Sequence, residues 1–360
     1  MQERAPKKLN IFFFHPAGQE LTALSRDAIF WASMESPNVA VVIVSFNTKQ
    51  LLFECLESVR SSPGPASTDM VVVDNASDDG SPDMVRRYYP EAQLICNSTN
   101  LGFARASNQG IRSTSAPFLL LLNSDARLSR STIEALLSCL LSSDSCAAAG
   151  CLVFDQAGRD QPTTWHFLTP FNQALELVGL NRFPLRGFSR RYKPQPDPNG
   201  LDCSVDWIEA SCLLLRRAAL DRVGTFDERF FMYSEDEDLC WRLRRSGWLI
   251  CHSNRGHAVH SGGASSKHDP FLNLCHFYRS QYLLLMKQRG PISAQLYLMA
   301  NEIALLLKRV FHHLQGNHDR LGEARLRWKA IRRASRSADQ DNQPAPRQGS
   351  GNPSGSGGLD

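Results

Sequence analysis

Three apolar runs in this chain end in small polar or acidic residues: Ser45-Phe46-Asn47, Asp74-Asn75-Ala76-Ser77-Asp78 and Asn123-Ser124-Asp125. A carboxylate at the mouth of a buried run needs a partner, because an unpaired charge there costs several kcal/mol or is neutralised. One such ending reads as an Asx or Ser turn leaving a strand. Three of them read as a polar ligand site. A denser group of acids, Glu235-Asp236-Glu237-Asp238, follows the apolar Phe230-Phe231-Met232-Tyr233. Crowded acids beside apolar surface have raised pKa values, which suits a general base. The same stretch also spells a capping box, with Ser234 as N-cap and Leu239, Cys240 and Leu243 facing inward. Both readings stay open at this stage. His257 and His260 fall on opposite faces of a strand and do not form a chelating pair. Gly262-Gly263 after His260 lets backbone approach a ligand closely.

The elements that must position these residues begin at Val39. "VAVVIVSF", "DMVVVDN", "AQLICN" and "PFLLLLNSD" read as strands, separated by the helical "TKQLLFECLESVRS", "SPDMVRRYY" and "FARASNQGIRST", with "STIEALLSCLL" after the last. Strands this apolar, alternating with helices, imply an α/β fold: a mostly parallel sheet with helices on both faces. Right-handed crossovers then put every strand's carboxyl end on one edge, where ligands bind in open α/β sheets. No G-x-G-x-x-G follows the first strand and no G-x-x-x-x-G-K-[ST] occurs, so a Gly-rich loop does not hold phosphate. A divalent cation is the substitute, and hard oxygen ligands select Mg or Mn. Asp125 is a candidate ligand for it.

Among 360 residues, 42% are hydrophobic and 21% charged, enough to build a sizeable core. A net charge of +4 is too mild to indicate nucleic acid, and no nucleic-acid partner is expected. The ten cysteines include no CxxC pair and fit reduced thiols in a cytoplasmic protein. "IFFF" (Ile11 to Phe14) is stopped by His15-Pro16, short of a signal-peptide core. Asn301-Glu302 interrupts the longest apolar stretch, so no membrane span is expected. Within it Leu296, Met299, Ile303, Leu306, Leu307, Val310 and Leu314 form one helical face, with Lys308, Arg309, Arg320, Arg325, Arg327 and Lys329 nearby. That face is expected to pack on the rest of the chain; docking on an anionic membrane surface is the alternative. Asn181 to Gly200 reads as a solvated Arg-rich loop, and the polar Gly/Pro/Ser tail as disordered.

Taken in order, "VVIVSFN", "VVVDNASDDGS", "NLGFARASNQG", "LLLLNSDARL", "FDERFFMYSEDEDLCWRLRRSGW" and "HSGGAS" resemble the inverting glycosyltransferases of family 2, in particular a bacterial rhamnosyltransferase branch. The resemblance covers about Val39 to Arg289. It implies a GT-A fold, with a Rossmann-like nucleotide half and an acceptor-binding second half. The expected organisation is an unassigned extension over 1–38, a nucleotide-sugar half over 39–150 and an acceptor and catalytic half over 151–290. A basic amphipathic helical region over 291–334 and the tail over 335–360 follow.

The resemblance assigns roles residue by residue. Ser45, Asn47 and Asp74 would line the nucleoside, with Asp74 accepting from a pyrimidine N3–H. Asn75, Asn100, Gly102, Asn123 and Glu235 are assigned to substrate binding, and Asn108 is expected to face the same site. Asn123-Ser124-Asp125 stands where the family carries D-x-D, with Asn123 in place of the first acid. Asp125 and His260 would hold Mg or Mn against the diphosphate, and Asp236 would be the base. "VDWIEASCLLLRR" resembles the segment flooring the acceptor pocket, with Ala210 where Gly is usual. The implied donor is a dTDP- or UDP-sugar, foremost dTDP-rhamnose, and the acceptor a glycan hydroxyl, polysaccharide or lipid-linked. A UDP-hexose-dependent transferase and a non-catalytic sugar-nucleotide-binding subunit are the competing readings. The expected location is cytoplasmic, with peripheral contact on the cytoplasmic face of the inner membrane through the C-terminal helix.

Overall fold

The computed structural model describes residues 38–62, 67–169, 203–263 and 269–341. The extension up to residue 37, the 181–200 loop and the tail beyond residue 341 lie outside the described residues. The first half alternates as its apolar runs require: β1 (Asn38–Ser45), α1 (Lys49–Arg60), β2 (Ser67–Asp74), α2 (Ser81–Tyr88), β3 (Gln93–Cys96), α3 (Phe103–Arg112) and β4 (Phe118–Asn123). These strands pair in parallel in the order β3-β2-β1-β4. Register places Ser45 opposite Asp74, and Val44 opposite Asn123, so the three polar endings are neighbours on one edge.

After β4 the chain crosses the sheet. β5 (Ala126–Leu128) lies at the far end beside β11 (Leu249–His260), and α4 (Thr132–Leu141) leads into β6 (Cys146–Phe154). β10 (Cys212–Arg216) runs antiparallel between β4 and β6, so one sheet passes continuously through both halves of the chain. β8 (Cys203–Val205) adds to β11, while β7 (Thr164–Trp165) and β9 (Trp207–Ile208) form a separate two-stranded ribbon. α5 (Arg217–Val223) and α6 (Glu235–Arg245) complete the second half before β11.

Period-two alternation divides the core in two. Ala40, Val42, Leu119 and Leu121 face a cluster with α3, α5 and α6, while Val41, Ile43, Leu120 and Leu122 face α1, α2 and α4. Both faces of the central strands are covered, which is why they read as unbroken apolar runs. α3 lies close to the sheet at Gly110, where an added Cβ would sit 2.4 Å from a Val42 methyl.

Three helices follow: α7 (Pro270–Arg289), α8 (Pro291–Leu314) and α9 (His318–Asp341). α8 buries Ala294, Tyr297, Leu298, Asn301 and Leu305. The apolar face expected to pack inward is the other one, and it is exposed: Leu296 is 52%, Leu307 64% and Leu314 80% accessible. α8 packs on α7 and α9 through the opposite side, where Tyr297 is almost fully buried. α9 continues to Asp341, into the stretch read as tail. No described helix is long and apolar enough to cross a membrane. The cysteines whose side chains are described are free, and all but Cys96 are buried.

Candidate active site

The loops at the ends of β1 and β2 are built to be small and rigid. Ser45 is fully buried, and its hydroxyl shares a hydrogen bond of 3.1 Å with Thr48, which donates to Ser124 at 2.9 Å. That chain ties the ends of β1 and β4 together. Asn47, at φ 52°, accepts from the Asp78 N–H at 2.9 Å and donates its own N–H to Ser77. Asp74 is 2% exposed; one carboxylate oxygen accepts from the Ser77 N–H at 2.9 Å and the other, Oδ1, has no hydrogen-bond partner. A buried acceptor left open in this way is costly unless a ligand donor meets it.

Asn75 is placed differently from its expected role. Its amide donates to Asn100 and to the Gly102 carbonyl, and its oxygen accepts from Asn97 and the Leu101 N–H. With its hydrogen-bonding capacity filled, it clamps the loop before α3 instead of reaching for substrate. Asn100 joins this clamp, accepting from the Gly102 N–H at 2.9 Å. Asn108 likewise turns away from the strand ends and brackets the Phe226 backbone with bonds of 2.8 and 3.0 Å.

The β4 ending answers the question of what Asp125 pairs with. Ala126 of β5 stands opposite His260 of β11, which brings the preceding Asp125 beside the imidazole. His260 Nε2 lies 3.0 Å from Asp125 Oδ1, and both residues are at most 9% exposed. The Asn123 amide is 3.3 Å from the same nitrogen, and Gln161 is 3.0 Å from Nδ1 on the ring's other side. Either atom of the Gln161 amide can complement Nδ1, so Nε2 can be a donor to Asp125 or a bare ligand. Adjacent ligands of an octahedral ion at about 2.1 Å are about 3 Å apart, so Asp125 and His260 are spaced as two residues that would hold Mg or Mn, which would supply positive charge there. Among the described residues no three or more His, Cys, Asp or Glu side chains gather as a metal cage.

α6 separates the four acids that spacing alone leaves equivalent. The capping box does not form: Ser234 adopts φ 64° and its side chain makes no cap bond. Glu237 accepts from the Leu168 N–H, pinning the segment that follows β7. Asp238, fully buried, pairs with Arg242 at 2.8 Å and with Lys287 of α7. Asp236 alone keeps solvent exposure while accepting from the N–H groups of Ala210 at 3.1 Å and Glu237 at 2.8 Å. Burial pushes its pKa up to about 6, although those two N–H donors hold it down. Glu235 is raised well above the ordinary carboxylate range by burial and then by Asp236, and its Oε2 has no hydrogen-bond partner.

Two backbone links join the Asp236 segment to the strand ends. Ala210 holds Asp236, and the next carbonyl, that of Ser211, accepts from the Asn123 N–H at 3.1 Å. The Phe231 carbonyl accepts from the Phe103 N–H at 2.7 Å, and Gly102, at φ 83°, is the only residue type that fits there, since a Cβ would lie 2.3 Å from that oxygen. The four non-glycine residues with left-handed backbone among the described residues are Asn47, Ala76, Tyr233 and Ser234, all on these loops. Such conformations cost of order 1–3 kcal/mol each and persist only where surroundings impose them. Thr48 and Gln161 were not singled out by sequence; the hydroxyl of Thr48, three residues after Ser45, was a readable signal, whereas Gln161 carried none. Beside the site, Trp165 and Trp207 stack with centroids 6.4 Å apart, and Trp165 donates to Glu209 at 2.8 Å.

Polar strand endings gathered on one sheet edge, a carboxylate–imidazole pair at the β4 end and the raised-pKa pair Glu235–Asp236 are the arrangement expected of a GT-A glycosyltransferase. Residues 40–224 match the profile of glycosyl transferase family 2, and the chain belongs to that family. It is 29% identical over 258 residues to the N-acetylglucosaminyl-diphospho-decaprenol L-rhamnosyltransferase of Mycobacterium tuberculosis, covering 68% of this chain and 83% of the relative. A 59-residue stretch, 16% of this chain and 22% of the relative, is 42% identical to the rhamnosyltransferase WbbL of Escherichia coli. In fold it is similar to the mannosyltransferase PcManGT of Pyrobaculum calidifontis, solved with GDP-Man and Mn2+. That match has a TM-score of 0.53 at 15% identity and covers 88% of this chain and 93% of the other.

Proposed function

We propose that this glycosyltransferase moves L-rhamnose from dTDP-rhamnose to a hydroxyl of a lipid-linked glycan, with inversion at the anomeric carbon and a divalent cation at Asp125 and His260. The single observation that carries this is the pair of adjacent backbone contacts at residues 210 and 211. They hold the Asp236 carboxylate and the Asn123–Asp125 ending in one fixed relation. The rhamnosyl and polyprenyl parts of the proposal rest on the Mycobacterium relative.

Asp74 supports a pyrimidine donor, because its one open acceptor oxygen suits the single N3–H of thymine or uracil. Ser45 and Asn47 shape the floor under the nucleoside. Asp125 and His260 would hold Mg or Mn, whose charge, when bound, neutralises the departing diphosphate. Asp236 takes the proton of the acceptor hydroxyl as its oxygen bonds to the anomeric carbon and the bond to diphosphate breaks. A base with pKa about 6 is charged at neutral pH yet basic enough to assist. Glu235, whose pKa burial raises well above the ordinary carboxylate range, is assigned to substrate binding beside Asp236. The free, mostly buried thiols support a reducing, cytoplasmic setting.

The test is calorimetric titration with dTDP, UDP and GDP, with and without Mn, followed by product analysis with dTDP-rhamnose and UDP-hexoses. Mn-dependent binding of a pyrimidine diphosphate and an inverted rhamnosyl product would support the proposal. Turnover of UDP-hexose alone would replace the donor, and no nucleotide binding at all would point to a non-catalytic subunit.

A further inference from the structure

Of the eleven large hydrophobic side chains exposed among the described residues, nine lie on α8. Leu296, Met299, Ile303, Leu307, Val310 and Leu314 recur every three or four residues and form one stripe. Ala294, Tyr297, Leu298, Asn301 and Leu305, which face the core, fall on the opposite side of the same helix. α8 therefore has two apolar faces, and its outward one runs about 33 Å, from Ile292 to Leu314. A contiguous patch of this kind marks an interaction surface.

α9 supplies the charge. Its buried residues are Leu321, Ala324, Ala330, Ile331 and Ala334, and on its outward side Arg325, Lys329, Arg332 and Arg333 are exposed at helical spacing. Residues 308–333 hold eight of the chain's 40 Lys and Arg but only two of its 36 acids, leaving the rest of the chain slightly acidic. The positive charge is thus concentrated in the same helical segment as the apolar stripe.

We propose that α8 and α9 together dock on an anionic lipid bilayer, with the α8 stripe lying in the headgroup–acyl boundary and the α9 cations on the headgroups. An apolar stripe beside concentrated cations matches the surface of an interfacial helix, and α8 is too polar to span. A second copy of the chain fits less well, because pairing two such surfaces brings like charges together. α7 links this surface to the site: it packs on both helices, Ser280 donates to the Met232 carbonyl at 2.8 Å, and His276 stacks on Phe231 at 4.3 Å. Docking would therefore fix the height of Asp236 above the membrane, where the hydroxyl of a lipid-linked acceptor is presented. The docking itself does not depend on the donor or the reaction.

The test is cosedimentation of the full chain with phosphatidylglycerol-rich and with pure phosphatidylcholine vesicles, alongside Ile303→Glu/Leu307→Glu and Arg325→Glu/Lys329→Glu variants. Both pairs are exposed, so circular dichroism and nucleotide binding should match the wild type. The expected result is at least about tenfold stronger binding to the anionic vesicles, weakened by salt. The stripe variant should lose about a hundredfold and the basic variant about tenfold. Absence of vesicle binding by the wild type, or undiminished binding by the stripe variant, overturns the proposal. So does a dimer in sedimentation velocity that the stripe variant dissolves, with no vesicle binding. Failure here with nucleotide binding intact leaves the transferase reading standing.

Discussion

Nε2 of His260 lies 3.0 Å from the carboxylate of Asp125, at the junction where β4 hands the chain to β5 on the far side of the sheet. The contact follows from one strand register, Ala126 against His260, and its length is compatible with both groups sharing one octahedral cation, as proposed above. Asp125→Ala should lower Mn-dependent binding of a pyrimidine diphosphate by about a hundredfold, and His260→Ala by about tenfold, both read by calorimetry. Binding without Mn should change little.

Asp236 sets the expected pH behaviour. With its pKa raised to about 6, kcat/KM should fall on the acid side of that value, and Asp236→Asn should lower kcat by about 10²–10⁴-fold. The acid limb belongs to the Glu235–Asp236 pair, since the two carboxyls interact. A full-rate Asp236→Asn enzyme would remove this residue as the base.

The same raised values have a stability consequence of opposite sense. A carboxyl whose folded pKa lies above its unfolded value contributes stability at low pH, and that contribution is lost as pH rises through about 6. Relative to wild type, the inactive Asp236→Asn variant should therefore gain thermal stability as pH rises from about 4 to about 8, as measured by melting at each pH.

Asp238 should behave as a structural acid. It is fully buried between Arg242 and Lys287, so Asp238→Ala leaves two cations without their shared partner. We expect a loss of about 3 kcal/mol in denaturant unfolding, with nucleotide affinity retained by the folded fraction. A loss of catalysis without loss of stability would contradict that assignment.

Gly102→Ala tests the joint between the halves. The new Cβ would meet backbone, the Phe231 carbonyl, at 2.3 Å, and φ 83° is unfavourable for any L side chain. Destabilisation of about 2–4 kcal/mol is expected, together with a lower kcat, because the loop leading to Asp236 must move.

The alternating strands and helices were legible because burial on both faces demands unbroken apolar runs, and the polar endings of β1, β2 and β4 did prove to be adjacent. The α8 face was misassigned for a related reason. Periodicity identifies an apolar stripe but does not say which side of a helix carrying two of them meets the core. An amide near a strand end is ambiguous until its partners are seen, and the side chains of Asn75, expected to bind substrate, and Asn108, expected to face the site, are both engaged in holding loops.

The sequence by itself determined the membership of the α/β class, the polar strand endings and the short list of acids, since each follows from local pattern and residue chemistry. Only the tertiary structure decided which acid is free. Glu237 is claimed by the Leu168 N–H and Asp238 by Arg242 and Lys287, while Asp236 keeps solvent access and Glu235 is left buried beside it. The physical reason is that a side chain's pKa and availability are set by what packs against it, and those neighbours come from β7, β9, β10 and α7, distant in sequence and joined only by folding.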